Sequence, residues 1–499
     1  MKLKLPSSVY NWISLWGAVL AVITLFMIIF LFIVSLFHAG GQTYLGLVIY
    51  LVLPGFLIFG LLLIPLGMWI KSKRDLRLGI KEKKLPFVDL NIKSHRNAFM
   101  IFTIGTVFFL LISAIGSYEA FNFTESVQFC GTLCHKVMNP EYTAYRNSPH
   151  ARVRCVDCHV GEGADWYVRS KLSGMYQVYA VIANVYPKPI ETPIHNLRPA
   201  RETCEQCHWP EKFYARKLKV QRHYLTDEKN SEWDIHLAIK IGAAYGALGL
   251  QEGIHWHINP DVKIEYIYTD EKHQQIPWVK YTNRKNGKIT IYSETGVEEK
   301  SLDAKKTSTM DCIACHNRPS HVYNPPAFYI NNAITAGKIP QDLPEIKFIS
   351  LKVLEPDFSS DDEAYNSINI GVHDFYKQNY FDSYSSMKNK INKAVAGIWA
   401  EFGKNAFPEM KVRWDKYPNN IGHVEFDGCF RCHDDKHVAE NGKVISKDCN
   451  LCHSIIAQGS PQKLESSSVT GMLDFKHPID ISNEWKDGLC TDCHTGLNP

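Results

Sequence analysis

The sequence is poor in net charge, in basic stretches interleaved with aromatics, and in cysteine outside seven short repeats. A formal net charge of +4 over 499 residues, with no basic aromatic patch, argues against a nucleic-acid partner. No small-residue cleavage pattern follows the first apolar run, which is also too long for a cleaved signal peptide. The length suffices for two to four domains and a sizeable core, so no metal is needed merely to hold a tiny fold. Charge is scarcest at the start of the chain, where apolar residues crowd the first 117 positions.

Three runs there carry no charge: Ile13 to Phe37, Tyr44 to Ile70 and Ala98 to Ser117. About 20 apolar residues cross a bilayer as a helix, so each predicts a transmembrane helix. Pro54 and Pro65 inside the second run are tolerated where neighbours re-satisfy the backbone. Residues 38–43 hold no lysine or arginine. The next loop holds Lys71, Lys73, Arg74, Arg77, Lys81, Lys83, Lys84, Lys93 and Arg96. With Lys2 and Lys4, these predict a cytoplasmic amino terminus and second loop, and an exported, mildly acidic remainder.

All 14 cysteines fall in repeats. Six read C-x-x-C-H: Cys155–Cys158–His159, Cys204–Cys207–His208, Cys312–Cys315–His316, Cys429–Cys432–His433, Cys449–Cys452–His453 and Cys490–Cys493–His494. The seventh, Cys130–Cys134–His135, has one extra residue between the thiols. Two thiols at this spacing add across haem vinyl groups, and the adjacent histidine then sits beneath the iron. A lone repeat is equally readable as a zinc site, a redox pair or a disulfide. Seven repeats that leave no cysteine over read as seven covalently bound haems c, with a disulfide the alternative at Cys130–Cys134. An exported location suits this, because covalent attachment is completed outside the cytoplasmic membrane.

Each haem held by one histidine is closed by a second ligand or left open to substrate. A histidine reaches poorly around the haem attached beside it, so closing ligands are expected from neighbouring segments. The best placed are His150, His321, His423, His437 and His477, together with one of His255 and His257. Met138, just after His135, offers a thioether. His38 and His95 lie in the membrane segment's loops. His223, His236, His273, His195 and His373 read as ordinary surface or core histidines.

The exported part leaves too few residues per haem for a separate core around each, so the haems should pack close together. Val262, Ile264, Tyr266 and Tyr268 alternate, as do Ile289 and Ile291, with Asn286-Gly287 as a turn, predicting a β insert over 261–294. Residues 331–410 carry no repeat and read as helical, above all from Ser385 to Phe402. Pro187, Pro189, Pro193 and Pro199 mark an extended run. The fold expected is three transmembrane helices followed by a mainly α and irregular multihaem domain with a small β insert.

One apolar helix leads into Cys134-His135-Lys-Val-Met138-Asn-Pro-Glu-Tyr, then Ser148-Pro-His150-Ala-Arg-Val-Arg-Cys155, Lys171-Leu-Ser-Gly and Arg198-Pro-Ala-Arg-Glu-Thr-Cys204. This resembles the NapC/NirT family of membrane-anchored multihaem quinol dehydrogenases, and most closely its heptahaem inner-membrane branch in anaerobic bacteria. The resemblance covers roughly 98–321. With the apolar runs and the grouping of the repeats, the chain is expected to divide into a membrane domain over 1–117, a tetrahaem domain over 118–330, a connecting segment over 331–410 and a trihaem domain over 411–499.

The resemblance implies that menaquinol from the membrane quinone pool is oxidised beside the first haem. Electrons would then leave for periplasmic cytochromes or a reductase. Met138 matches the family's first axial ligand in type, one position later, and Lys171 matches the lysine that borders the quinol. The family's nearby acid is replaced by Val178, leaving Asp165 and Glu141 as substitutes. Two extra helices precede the family's usual anchor; they read as added anchorage or as a face for a membrane partner subunit. Two other functions stay open: a wiring subunit fed by a partner quinol oxidase, and a reductase with an open haem. The latter would be favoured by a C-x-x-C-K repeat, which the sequence lacks.

Overall fold

The computed structural model describes residues 10–37, 48, 52–78, 89–133, 135–160, 164–192, 199–210, 213, 216–242, 253–297, 302–303, 306–468 and 471–497. For residues 32, 34–37, 76, 94, 98, 135–136, 164–165 and 167–168 it describes the backbone alone. Cys134, His38, His195, Lys81, Lys83 and Lys84 therefore lie outside the described residues, as do the side chains of His135 and Asp165. The chain packs as two units, Met1–Met138 with Arg154–Val156, and Asn139–Val153 with Asp157–Pro499.

In the first unit α1 (Trp12–Phe37), α2 (Leu53–Arg77) and α3 (Lys93–Thr124) are long helices. Each contains a span apolar enough to cross a membrane: Trp12–Leu31, Leu53–Asp75 and His95–Thr124. The third outlasts the uncharged run that ends at Ser117, because backbone hydrogen bonding continues through Tyr118 and Glu119. Small residues bring α1 and α2 together. A Cβ on Gly17 would sit 2.6 Å from the Gly60 carbonyl oxygen, and one on Gly60 would sit 2.9 Å from Ala21 N. Lipid gives helices no hydrophobic reason to associate, so close backbone packing and interhelical hydrogen bonds must do so. Ser14 Oγ supplies one such bond, donating to Ile64 O at 2.8 Å. After α3, Ser126 accepts from Phe129 N and caps α4 (Val127–Thr132), which carries Cys130.

Between the first repeats run α5 (His135–Arg146), α6 (Cys155–His159) and α7 (Ala164–Ile182). Among its described residues the second unit then adds nine antiparallel strands: β1 (Arg216–Tyr224), β2 (Glu232–Lys240), β3 (Val262–Ile267), β4 (Trp278–Asn283), β5 (Ile289–Glu294), β6 (Thr307–Thr309), β7 (His437–Ala439), β8 (His453–Gly459) and β9 (Glu465–Ser466). They form one sheet in the order β1-β2-β8-β9 and another in the order β6-β3-β4-β5-β7. The expected insert is β3 to β5, turning through Gly287 at φ +70°. The first sheet is not expected from the sequence, because its strand β1 mixes lysine, arginine and histidine with exposed Leu218 and Val220. The pairing of β7 with β5 and of β8 with β2 carries the sheets across the expected boundaries near 330 and 410.

The repeat-free stretch folds as α8 (Pro326–Thr335), α9 (Ile346–Val353), α10 (Asp361–Asn379) and α11 (Phe381–Asn405). Ile330, Ile339, Leu343, Ile346, Ile368, Ile391 and Ile398 are fully buried among them. Ser360 accepts from Glu363 N to cap α10, and three acids in its first turn favour the helix dipole.

Lys347 is buried in the same core, where its Nζ donates to Ala327 O and Asn331 Oδ1. Burial pushes this amine down to about 7, against about 10.4 in an unfolded chain. Unfolding therefore takes up a proton between those values, and the stability from keeping the amine neutral grows as pH rises through that window. The unfolding midpoint of the detergent-solubilised protein is expected to climb from pH 7 to pH 9. Lys347→Met should flatten the climb, and an unchanged slope would contradict this assignment.

Candidate haem-binding sites

Each described repeat folds as a tight turn. Cys155–His159, Ala200–Cys204 and Cys312–Cys315 are α-helical, while Gly428–Arg431, Cys449–Leu451 and Cys490–Asp492 are 3-10 turns. Positions three apart share one side of such a turn, which brings the paired thiols together. Asp311 accepts from Ile313 N and Ala314 N, and Asp448 accepts from Asn450 N, fixing two of the turns. Gly428 precedes Cys429 at φ +47°, where a Cβ would lie 2.0 Å from the Gly422 carbonyl oxygen, so only glycine fits. No disulfide involves Cys204, Cys207, Cys312, Cys315, Cys429, Cys432, Cys449, Cys452 or Cys490. Among the described residues no three His, Cys, Asp or Glu side chains converge as they would around zinc.

Six repeat histidines each face a second histidine from elsewhere in the chain. The ring centres are 6.2 Å apart for His159 and His321, 6.0 Å for His208 and His150, and 6.4 Å for His316 and His255. They are 5.9 Å apart for His433 and His257, and 6.1 Å both for His453 and His423 and for His494 and His477. Two imidazoles on one metal, each bonded at about 2 Å, place their ring centres about 6 Å apart. All six pairs thus fit an iron between them.

The outer nitrogens of several of these rings fit as well, while His453 Nδ1 is buried without a hydrogen-bond partner. His150 Nδ1 faces Pro319 O at 3.2 Å, His255 faces Ile241 O at 2.8 Å, and His257 faces Ile254 O at 2.8 Å. His433 faces Ser446 O at 2.9 Å and His477 faces Ile479 O at 3.0 Å. A carbonyl can only accept, so Nδ1 carries the proton and the Nε2 lone pair is left for a metal. Burial holds His159, His255, His257, His316, His321 and His423 below the usual imidazole range and pushes His453 down to about 4. Neutral rings are the form that ligates.

Two sequence expectations change here. His255 and His257 are both paired, instead of one of the two. They sit in the 3-10 turn Ile254–Ile258, where residues two apart splay by about 120°. Gly253 enters that turn at φ +141°, and a Cβ there would lie 2.6 Å from Lys240 O. His437, expected as a closing ligand, faces no repeat histidine among the described residues. Its Nδ1 bonds Asp434 Oδ1 at 2.9 Å and its Nε2 bonds Ile276 O at 2.7 Å, so both nitrogens are committed. Burial would lower this ring's pKa, but Asp434 and the carbonyl outweigh burial and raise it. Elsewhere His373 bonds Tyr384 OH, and His273 stacks on Tyr268.

The first repeat is described only through Cys130 on α4 and Met138, half-buried on α5. Of the quinol residues expected, Lys171 is half-buried on α7, whose Leu172, Met175, Tyr176, Val178, Tyr179 and Ile182 are exposed. Glu141 is elsewhere engaged: its Oε2 lies 3.5 Å from Arg318 and 3.1 Å from His321 Nδ1.

From Cys158 on, the described repeats neighbour one another. Cys204 and Cys312 share a side-chain hydrogen bond, and Cys204 also feels Cys158. Cys315 feels Cys429, Cys452 feels Cys429, Cys449 and Cys315, and Cys490 feels Cys449. His423 Nδ1 is 3.7 Å from Cys490 Sγ.

The NapC/NirT cytochrome c family, N-terminal region, matches residues 92–192. The chain is 43% identical to the cytochrome c-type protein ImcH of Geobacter sulfurreducens, over 98% of this chain and 96% of that one. It is 23% identical to the cytochrome c-type protein NrfH of Wolinella succinogenes, over 30% of this chain and 89% of that one. No solved structure matches. With its membrane helices and haem-binding repeats, the chain belongs to the NapC/NirT family of membrane-anchored multihaem c-type cytochromes.

Proposed function

We propose that this cytochrome holds seven haems c, oxidises menaquinol at the outer face of a bacterial inner membrane, and delivers the electrons to periplasmic acceptors in anaerobic respiration. The observation that carries electron transfer over substrate reduction is the set of six histidine pairs. Each described repeat histidine has a partner ring at the spacing of one iron, which supports a closed centre rather than an open one. Bound haem supplies reversible one-electron chemistry, tuned by its axial ligands and their hydrogen bonds.

The residues do the rest. The cysteine pairs fix position, the histidine pairs fix coordination, and the Nδ1–carbonyl bonds fix ring orientation. The neighbouring of repeats within the second unit supports a path from Cys158 toward Cys490. Met138 is assigned to close the first site. Lys171 is assigned to hold a quinol oxygen, where its charge favours loss of the quinol proton. The basic loop after α2 supports a cytoplasmic amino terminus.

The test is direct reduction of the solubilised, purified cytochrome by a reduced menaquinone analogue, followed by haem absorbance. The wild type is expected to become reduced. Lys171→Ala should slow the reaction roughly tenfold or more, the worth of one charged hydrogen bond of about 1.5–3 kcal/mol. A wild type that stays oxidised would instead make the chain a wiring subunit fed by another quinol oxidase.

A further inference from the structure

The outer contact of His321 includes a carboxylate. His150, His255, His257, His433 and His477 present Nδ1 to neutral main-chain carbonyls. His321 Nδ1 faces the Glu141 carbonyl at 3.0 Å and also the Glu141 carboxylate at 3.1 Å. The carboxylate is mostly buried, 15% exposed, and the Arg318 guanidinium beside it at 3.5 Å is 8% exposed. Arg318 is itself held firmly. Its Nε donates to His321 O at 2.7 Å, and its guanidinium lies over the Tyr417 ring at 4.3 Å.

A carboxylate behind an imidazole increases the electron donation of the ring to its metal and so favours the oxidised iron. A buried cation beside that carboxylate draws the charge back. We propose that Glu141 is a positioning residue that lowers the reduction potential of the haem attached at Cys155 and Cys158, and that Arg318 limits how far it falls. This rests on the ligand pairing of His159 with His321 given above. It gives Glu141 a role other than proton acceptor for quinol, and it makes the second site of the series electronically distinct from the other histidine-paired sites.

The test is a redox titration of the full-length, solubilised cytochrome followed by EPR, with haem content checked by mass. Glu141→Gln keeps an oxygen near Nδ1 but removes the charge. It is expected to raise the midpoint of one centre so that its oxidised-to-reduced ratio at fixed potential falls about tenfold, equivalent to about 59 mV for one electron. Glu141→Asp, which keeps the charge, should shift the same centre less. Arg318→Gln should shift it in the opposite direction. Unchanged midpoints in Glu141→Gln, or equal signs for the two charge removals, would overturn the proposal. His321→Ala separates this from the underlying pairing. If it removes one low-spin signal while Glu141→Gln moves nothing, the pairing stands and the tuning fails. If His321→Ala leaves every low-spin signal intact, the pairing itself is wrong and the proposal falls with it.

Discussion

His255→Ala and His257→Ala are each expected to remove one low-spin haem signal, from two different centres, while His437→Ala removes none. The two alanine variants at the 3-10 turn delete rings that lie 6.4 Å from His316 and 5.9 Å from His433. Each leaves a histidine without its opposite partner, so a high-spin signal and binding of an added ligand such as carbon monoxide or imidazole should appear. The double variant should lose two signals, because the rings serve separate sites. His437 is the stringent control. It sits beside the fifth repeat, and sequence position alone would make it a ligand, yet its nitrogens are held by Asp434 and Ile276. Its removal takes the ring N–H from Asp434, which keeps the Lys436 and His437 backbone N–H groups, and leaves the Ile276 carbonyl without that donor; it should cost stability by about 1–3 kcal/mol, not coordination. Loss of a low-spin signal in His437→Ala, or of the same signal in both turn variants, would refute this arrangement.

The contrast between these histidines shows where the sequence is legible. Attachment chemistry is written locally, in two thiols and a histidine, so the repeats can be read directly. The membrane helices are equally legible, because a bilayer demands a long apolar run and nothing else in the chain supplies one. Closing ligands are different. His150 meets His208, and His159 meets His321 across much of the second unit, and nothing in the sequence neighbourhood of either ring encodes the other. Position near a repeat suggested His437 as readily as His423. What separates them is whether Nε2 is free, a property set by strand β7 bringing His437 to the Ile276 carbonyl. A three-residue strand leaves no periodicity to read. Both His255 and His257, of which one was expected to serve, face a repeat histidine for a similar reason: residues two apart splay in a 3-10 turn, whose one sequence clue is Gly253 in a conformation that other residues rarely adopt. The helices expected over 331–410 are legible because they enclose an ordinary side-chain core with helical spacing and no cofactor to interrupt the pattern.

Cys312→Ser combined with Cys315→Ser is expected to divide the cytochrome into two electrically separate halves. The fourth repeat is the link on which the observed neighbours converge. Cys312 is hydrogen-bonded to Cys204 on one side, while Cys315 feels Cys429, and Cys432 feels Cys315, on the other. Without these thiols the covalent haem count should drop by one, and His255 and His316 should no longer be held at a common iron. On rapid mixing with reduced menaquinone analogue, the sites attached through Cys130, Cys155 and Cys204 should still fill in the fast phase. Those attached through Cys429, Cys449 and Cys490 should drop out of it and fill slowly. The same substitutions at Cys490 and Cys493, the far end of the series, should remove one haem while leaving all the others in the fast phase. That pair of outcomes distinguishes a series from a set of independently exposed centres. If the fourth-repeat variant fills its remaining sites at the wild-type rate, electrons enter by more than one route. The order in which the repeats succeed one another would then describe packing rather than a path.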